Sequence, residues 1–259
     1  LHGEQRTAAL LDFADTVESL GGRYITAEDV GTSSHDMRVI AQRTRHVVGL
    51  PRRMGGSGDP SPFTALGVES AIRACCERVF GASSLRGRSV AVIGLGHVGS
   101  RIAKRCARAG AEVVLSDIDP SKRALAEDLG AAWASPKRAL EAEVDVVAPC
   151  ALGGVLDHDT VPRLRCRIVA GAANNQLAGE SVADLLVARG ILWAPDFVAN
   201  AGGVINITEE LHVYDARAAH RKVRRIGQIL LDIFDRADAA GITPLAAAMD
   251  LAHARLESG

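Results

Sequence analysis

Apolar positions change period several times along this chain, and the changes outline its elements. Between Ala8 and Leu20, Leu10, Leu11, Ala14 and Val17 fall on one helical face, and Gly21-Gly22 ends the run. Arg23 to Thr32 reads as a short strand entering a polar loop. Ser34 to Ala41 reads as a brief helix, with Ser33 or Ser34 as its cap and Asp36 in its first turn. Glycine and proline then crowd residues 49–62, which marks a loop, before an amphipathic helix predicted over Thr64 to Val79 and closed by Gly81. From Val90 onward, short apolar runs alternate with helical stretches. Strands are predicted at Val90–Ile93, Val113–Leu115, Ala131–Ala134, Val144–Ala148, Arg167–Ala170 and Ile191–Ala194. Helices fall between them at Pro120–Leu129, Pro136–Leu140 and Ser181–Ala188. Such alternation implies a parallel, doubly wound α/β sheet. Val204 to Leu256 is helical in pattern, with Gly227 and the Gly241–Pro244 break inside it.

Composition narrows the picture. With 259 residues and 47% hydrophobic content, the chain can bury one large core or two modest ones. Thirty basic and 31 acidic side chains leave a net charge of −1, which offers no electrostatic grip on nucleic acid or on an anionic membrane. The apolar runs are too short to span a bilayer. Leu1-His-Gly-Glu has no signal-peptide character, and a chain opening on Leu1 leads us to expect a segment upstream of it. The five cysteines (Cys75, Cys76, Cys106, Cys150, Cys166) form no C-x-x-C pair and no metal-ligand spacing. They are expected to be small core hydrophobes in a cytoplasmic protein, with no metal site.

One stretch carries chemistry of its own. Val90 to Asp117 runs strand, Gly94-x-Gly96-x-x-Gly99, helix, strand, and ends on an acid. Gly94 permits a sharp turn, Gly96 lets a pyrophosphate approach the backbone, and Gly99 lets the helix pack close to the strand. The helix N-terminus offers N–H groups to the anion. Asp117 stands where a carboxylate accepts hydrogen bonds from both adenosine ribose hydroxyls and repels a 2′-phosphate, so NAD is the expected cofactor. His97 and Val98 lie inside the turn; the His97 imidazole either reaches the pyrophosphate or is an exposed loop side chain. Cys150 and Ala151 follow the fourth strand. With no basic partner nearby in sequence, Cys150 is expected to line the adenosine pocket or to pack, and not to act as a nucleophile.

Further motifs stand in order around this fingerprint: T-A-E-D-V-G-T (26–32), G-S-G-D-P-S-P-F-T (56–64), A-P-C-A-L-G-G (148–154), G-A-A-N-N-Q (171–176) and P-D-F-V-A-N-A-G-G-V-I-N (195–206). Together they resemble the leucine, valine and phenylalanine dehydrogenase branch of the glutamate dehydrogenase superfamily, over nearly the whole chain from Tyr24. The resemblance implies NAD-dependent oxidative deamination of an L-amino acid to a 2-oxo acid and ammonia, in a cleft between a substrate and a cofactor domain. It implies that Asp29 exchanges protons with the substrate nitrogen, and that Thr64 and Asn174 hold the nicotinamide carboxamide. Asn175 and Asn200 either contact substrate or bond backbone. Ala27, Val204 and Ile207 match positions that line the side-chain pocket, with core packing as the plainer account of Ile207. A branched-chain or aliphatic substrate such as leucine or valine is expected, and the protein is expected to be a homo-oligomer.

On this reading the fold is a Rossmann-type doubly wound parallel sheet with an incomplete N-terminal α/β substrate domain and C-terminal helices. The expected division is a partial substrate domain over 1–60, an NAD-binding domain over 61–210, and helices over 211–259 packing back on the interface. A substrate domain short of half its sheet would expose apolar surface and a strand edge. The sequence departs from the family in one respect. The family uses two lysines upstream of the Asp29 motif, one for the substrate carboxylate and one as a base, whereas the lysines here are Lys104, Lys122, Lys137 and Lys222. Two readings follow: an amino-acid dehydrogenase whose N-terminal segment lies outside this sequence, or a shortened paralogue that binds NAD without turnover.

Overall fold

The computed structural model describes residues 2–29, 31–211 and 214–257. The chain forms two compact units, one from Leu1–Pro60 and Gly203–Lys222, the other from Ser61–Gly202 and Val223–Gly259. Residues 203–210 thus fall in the first unit, whereas the division drawn from sequence carries the cofactor domain to residue 210.

The first unit opens with α1 (Gly3–Ser19) and α2 (Ser34–Ile40). Ser33 and Asp36 form a reciprocal capping box at the start of α2. Arg6 reaches from α1 to both oxygens of Asp36, at 3.1 and 3.0 Å, and ties the two helices together. Ala14, Met37, Ile40 and Val47 make a small core beneath them. The strand expected from Arg23 to Thr32 is reduced to a single parallel bridge between Thr26 and Val47. Only the Thr26 N–H to His46 and the Val48 N–H to Thr26 bonds form there, at 3.0 and 2.9 Å, so no ladder propagates. Tyr24 and Ile25 beside it are exposed, as is Phe13 on α1. The Glu210 carboxylate gathers the loop after Val48 by accepting from the backbone N–H groups of Gly49, Leu50 and Ser57.

The second unit begins with α3 (Ser61–Phe80) and builds a parallel sheet from β1 (Ser89–Ile93), β2 (Glu112–Ser116), β3 (Ala132–Trp133), β4 (Val146–Pro149), β5 (Ile168–Val169) and β6 (Leu192–Trp193). The order across the sheet is β3-β2-β1-β4-β5-β6. The crossovers are α4 (Gly99–Arg108), α5 (Arg123–Leu129), α6 (Pro136–Leu140) and α7 (Ser181–Ala188). Val90, Ala91, Val92, Val146, Val147 and Ala148 are all fully buried, so both faces of the central strands are covered; this is why those strands read as unbroken apolar runs. The chain then enters α8 (Asp196–Ala199), α9 (Gly202–Thr208) and α10 (Ala216–Arg224), and ends in α11 (Ile226–Ala240) and α12 (Pro244–Glu257). Gly227 does not interrupt α11. It lets that helix press on α3, because a Cβ there would stand 3.2 Å from the Ser70 carbonyl oxygen. The strand order reverses between β1 and β4, which places a crevice at the carboxyl ends of those strands.

Candidate functional site

The fingerprint glycines take up three different jobs. Gly94 has φ +98°, and a Cβ on it would lie 2.7 Å from that of Ala151. A Cβ on Gly99 would lie 1.9 Å from the Gly94 carbonyl oxygen, so the first turn of α4 sits directly against the glycine turn. Around Gly96, by contrast, an added Cβ meets nothing within 4 Å. The backbone there is open on the side where a diphosphate would approach, and α4 has no side-chain cap at Val98; the Ser100 and Arg101 N–H groups bond back to the Gly96 and Val98 carbonyls at 3.1 and 3.0 Å. These features fit a dinucleotide, which Gly94 to Gly99 would hold by its pyrophosphate.

Asp117 follows β2 directly. Its carboxylate accepts from the backbone N–H of Leu95 at 2.5 Å and from that of Asp119 at 2.9 Å, which fixes it beside the glycine turn with oxygen lone pairs to spare for ribose hydroxyls. His97 is exposed, and its carbonyl accepts from Arg101 at 2.6 Å. Val98 is half-buried at the N-cap of α4. Cys150 packs against the turn, its Cβ 3.1 Å from where a Gly99 side chain would begin, and burial pushes its thiol up to about 12. Desolvation of this kind disfavours the thiolate that a nucleophile needs. Beneath the turn, Glu69 on α3 is gripped by Arg73 and by Arg105 on α4. Burial works against its charge, yet the two guanidiniums hold its carboxyl below the ordinary range.

A second group gathers in the same unit around residues 199–202. The Gly202 α-carbon is pressed against the start of α3, where a Cβ would stand 2.1 Å from the Phe63 carbonyl oxygen and 3.2 Å from the Thr64 Cα. Two residues earlier, Asn200 Nδ2 donates to Asn174 Oδ1 at 2.5 Å and to the Ala172 carbonyl at 3.3 Å. The segment therefore touches both residues expected to hold a carboxamide, and Asn200 bonds the loop itself. Asn175 carries φ +51°, the left-handed conformation that asparagine tolerates better than most residues.

Asp29, Ala27, Val204 and Ile207 belong to the first unit. Asp29 is exposed in a tight turn: the Thr32 hydroxyl accepts from its N–H and donates to its carbonyl, both at 2.8 Å. Ala27 and Ile207 are half-buried, while Val204 is 65% exposed and so is no part of a core. Lys222, in the same unit, is ion-paired with Glu209 at 2.5 Å. Lys104, Lys122 and Lys137 all lie in the sheet unit.

Sequence reasoning passed over two residues inside motifs it had singled out. Gln176 is fully buried and Asp196 nearly so, and they bond each other's segments. Their amide and carboxylate inside those motifs were the available signal, since buried polar groups must find partners.

This fold and this site define a dinucleotide-binding protein of the doubly wound α/β class. Residues 71–152 match the model of the D-isomer specific 2-hydroxyacid dehydrogenase NAD binding domain, and residues 115–237 match that of glutamate/leucine/phenylalanine/valine dehydrogenase. The chain is 43% identical to leucine dehydrogenase of Thermoactinomyces intermedius over 93% of its own length and 66% of that protein's. It is 44% identical to valine dehydrogenase of Streptomyces virginiae over 95% of this chain and 70% of that one. The crystal structure of L-tryptophan dehydrogenase from Nostoc punctiforme superposes with a TM-score of 0.85 at 38% identity, covering 97% of this chain and 73% of that one. The chain belongs to the glutamate/leucine/phenylalanine/valine dehydrogenase family and spans roughly two thirds of the length of these relatives. Its cofactor is NAD. Among the described residues, no helix is long and apolar enough to cross a membrane.

Proposed function

We propose that the protein carries out NAD-dependent oxidative deamination of a branched-chain or aliphatic L-amino acid, leucine or valine, to the 2-oxo acid and ammonia. The observation that carries this reading is about 40% identity, over nearly the whole chain, to proteins named leucine and valine dehydrogenase. NAD supplies the hydride acceptor when bound. Gly94, Gly96 and Gly99 hold the pyrophosphate with Val98 and His97 beside it, Asp117 holds the adenosine ribose, and Cys150 and Ala151 flank that end. Thr64 and Asn174 orient the carboxamide. Asp29, an exposed carboxylate in a tight turn, exchanges protons with the substrate nitrogen. Ala27, Val204 and Ile207 supply an apolar wall with no cation for a side-chain carboxylate, and Asn175 and Asn200 are the candidates for contact with the substrate. Each methylene admitted to such a wall is worth roughly 1–3 kcal/mol, so leucine and valine should differ modestly while glutamate fails.

A second reading is binding of NAD without turnover; within the 259 residues no lysine precedes Lys104. A positioned base contributes typically about 10²–10⁴-fold, and arginine cannot replace it because it stays protonated. The 259-residue chain is accordingly expected to bind NADH and to show no measurable deamination. The test reads the coding DNA upstream of Leu1 for a lysine-bearing glycine-rich segment. It then compares the chain with the extended protein on leucine, valine, phenylalanine, tryptophan and glutamate with NAD. Turnover by the extended protein that favours leucine or valine supports the first reading. A preference for glutamate, phenylalanine or tryptophan sinks the substrate assignment, and robust turnover by the 259-residue chain sinks the role given to the lysines.

A further inference from the structure

We propose that Gln176 is the positioning residue for the nicotinamide end of the cofactor, acting by locking the 171–176 loop that carries Asn174. The inference rests on the NAD site proposed above. Gln176 is fully buried, and every polar atom of its side chain is engaged. Its Nε2 donates to the carbonyls of Gly171 and Ala173, each at 3.1 Å, and its Oε1 accepts from the Trp193 indole N–H at 3.1 Å. The loop thus closes around the side chain of its own last residue.

The chemistry selects glutamine. An indole N–H only donates, so it must face the amide oxygen, and this turns both amide hydrogens toward the two carbonyls. Ionised glutamate would accept from Trp193 but would set an oxygen against those carbonyls. Leucine would leave one donor and two acceptors in the interior without partners. The backbone of Gln176 is pinned as firmly: its N–H donates to Asp196 Oδ2 at 2.6 Å, and its carbonyl accepts from Leu156 at 3.0 Å. Across the loop, the Asn175 carbonyl accepts from Gly154 at 2.7 Å, and the Asn174 side-chain oxygen accepts from Asn200 at 2.5 Å. With that oxygen engaged, the Asn174 amide would have its N–H groups to offer a ligand carbonyl. None of these bonds touches the glycine turn or Asp117, so the lock acts on one end of the dinucleotide only.

That asymmetry supplies the test. NADH and ADP-ribose, which keeps both phosphates and lacks the nicotinamide ring, are titrated against the 259-residue chain and its Gln176→Leu and Gln176→Glu variants, with thermal unfolding followed in parallel. Both variants are expected to lose about tenfold in NADH affinity while ADP-ribose affinity stays within about twofold. Equal losses for the two ligands, or unchanged NADH affinity, would overturn the proposal, because a merely structural residue would not distinguish them. Should those variants fail to fold, Trp193→Phe removes only the indole N–H, and about a threefold loss confined to NADH is expected. A parallel loss in that variant, or none, overturns the proposal equally. Wild-type chain that binds ADP-ribose as tightly as NADH would overturn it too. Wild-type chain that binds neither would instead defeat the NAD site on which it rests.

Discussion

The backbone N–H of Leu95 donates to the Asp117 carboxylate at 2.5 Å, so the acid expected to recognise ribose is also a strut of the glycine turn. Removing it should therefore do two things at once. Asp117→Ala is expected to weaken NADH binding and to cost about 2 kcal/mol of stability, the worth of a hydrogen bond to a charged group. Asp117→Asn keeps an acceptor for Leu95 and should lose affinity with little loss of stability. NADPH should gain only slightly in either, since no cation replaces the carboxylate. NADH titration beside urea unfolding checks both arms, and tighter NADPH than NADH binding by the wild type would refute the ribose role.

Two glycines three residues apart should respond in opposite ways. Gly99→Ala drives a methyl to 1.9 Å from the Gly94 carbonyl, so α4 must move and stability should fall by about 3 kcal/mol. Gly96→Ala meets no protein atom within 4 Å and should fold normally. It should nonetheless lose NADH, because its methyl fills the space left for the pyrophosphate. A Gly96→Ala protein that binds NADH as well as the wild type would place the pyrophosphate elsewhere.

Acid should loosen the first unit at a defined point. Hydrogen bonds from Arg6, helped by Ser33, hold the Asp36 carboxyl at about 2 against an ordinary 3.8, although burial works the other way. A carboxyl depressed in the folded state stabilises it fully above the unfolded value, and that contribution fades as pH falls from about 4 toward 2. After discounting for solvent screening it is worth about 1 kcal/mol. Arg6→Ala should lower stability at pH 7 and flatten its fall between pH 4 and 2. An acid-unfolding profile of the same shape in both proteins would show that the pair contributes nothing.

Thiol chemistry should be all but silent in the native protein. Burial raises the Cys150 and Cys106 thiols to about 12 and those of Cys76 and Cys166 to about 11, and it raises Cys75 as well. At pH 8 an aromatic disulfide reagent is expected to leave the buried Cys75, Cys76, Cys106 and Cys166 untouched and to reach half-buried Cys150 only slowly until denaturant is added. Rapid native modification of Cys150 with loss of NADH binding would contradict its packing role.

The parts that sequence determined by itself are those in which neighbours along the chain carry the physics. Gly94 and Gly99 are bracketed by two strands within a single βαβ unit, so the sharp turn at one and the close helix packing at the other follow from spacing and from what a Cβ would obstruct. Asp36 in the first turn of α2 follows a pair of candidate cap serines, of which the fold selects Ser33, and the apolar runs of β1 and β4 announce strands buried on both faces. The weak elements failed for the same reason. Tyr24 to Thr32 has strand-like residues, but a strand exists only where a ladder forms, and beside Thr26 just one bridge does. Tertiary structure alone decided the rest. No spacing rule brings Gln176 beneath Trp193, sets Asp196 on the Gln176 N–H, or points Asn200 at Asn174, since each pair is separated by 17 to 26 residues and joined only when β5 and β6 lie side by side. Glu210 meets Gly49 across 161 residues in the same way. Sequence records which polar groups a segment owns, but burial imposes the need to satisfy them, and only the folded crossovers select the partner.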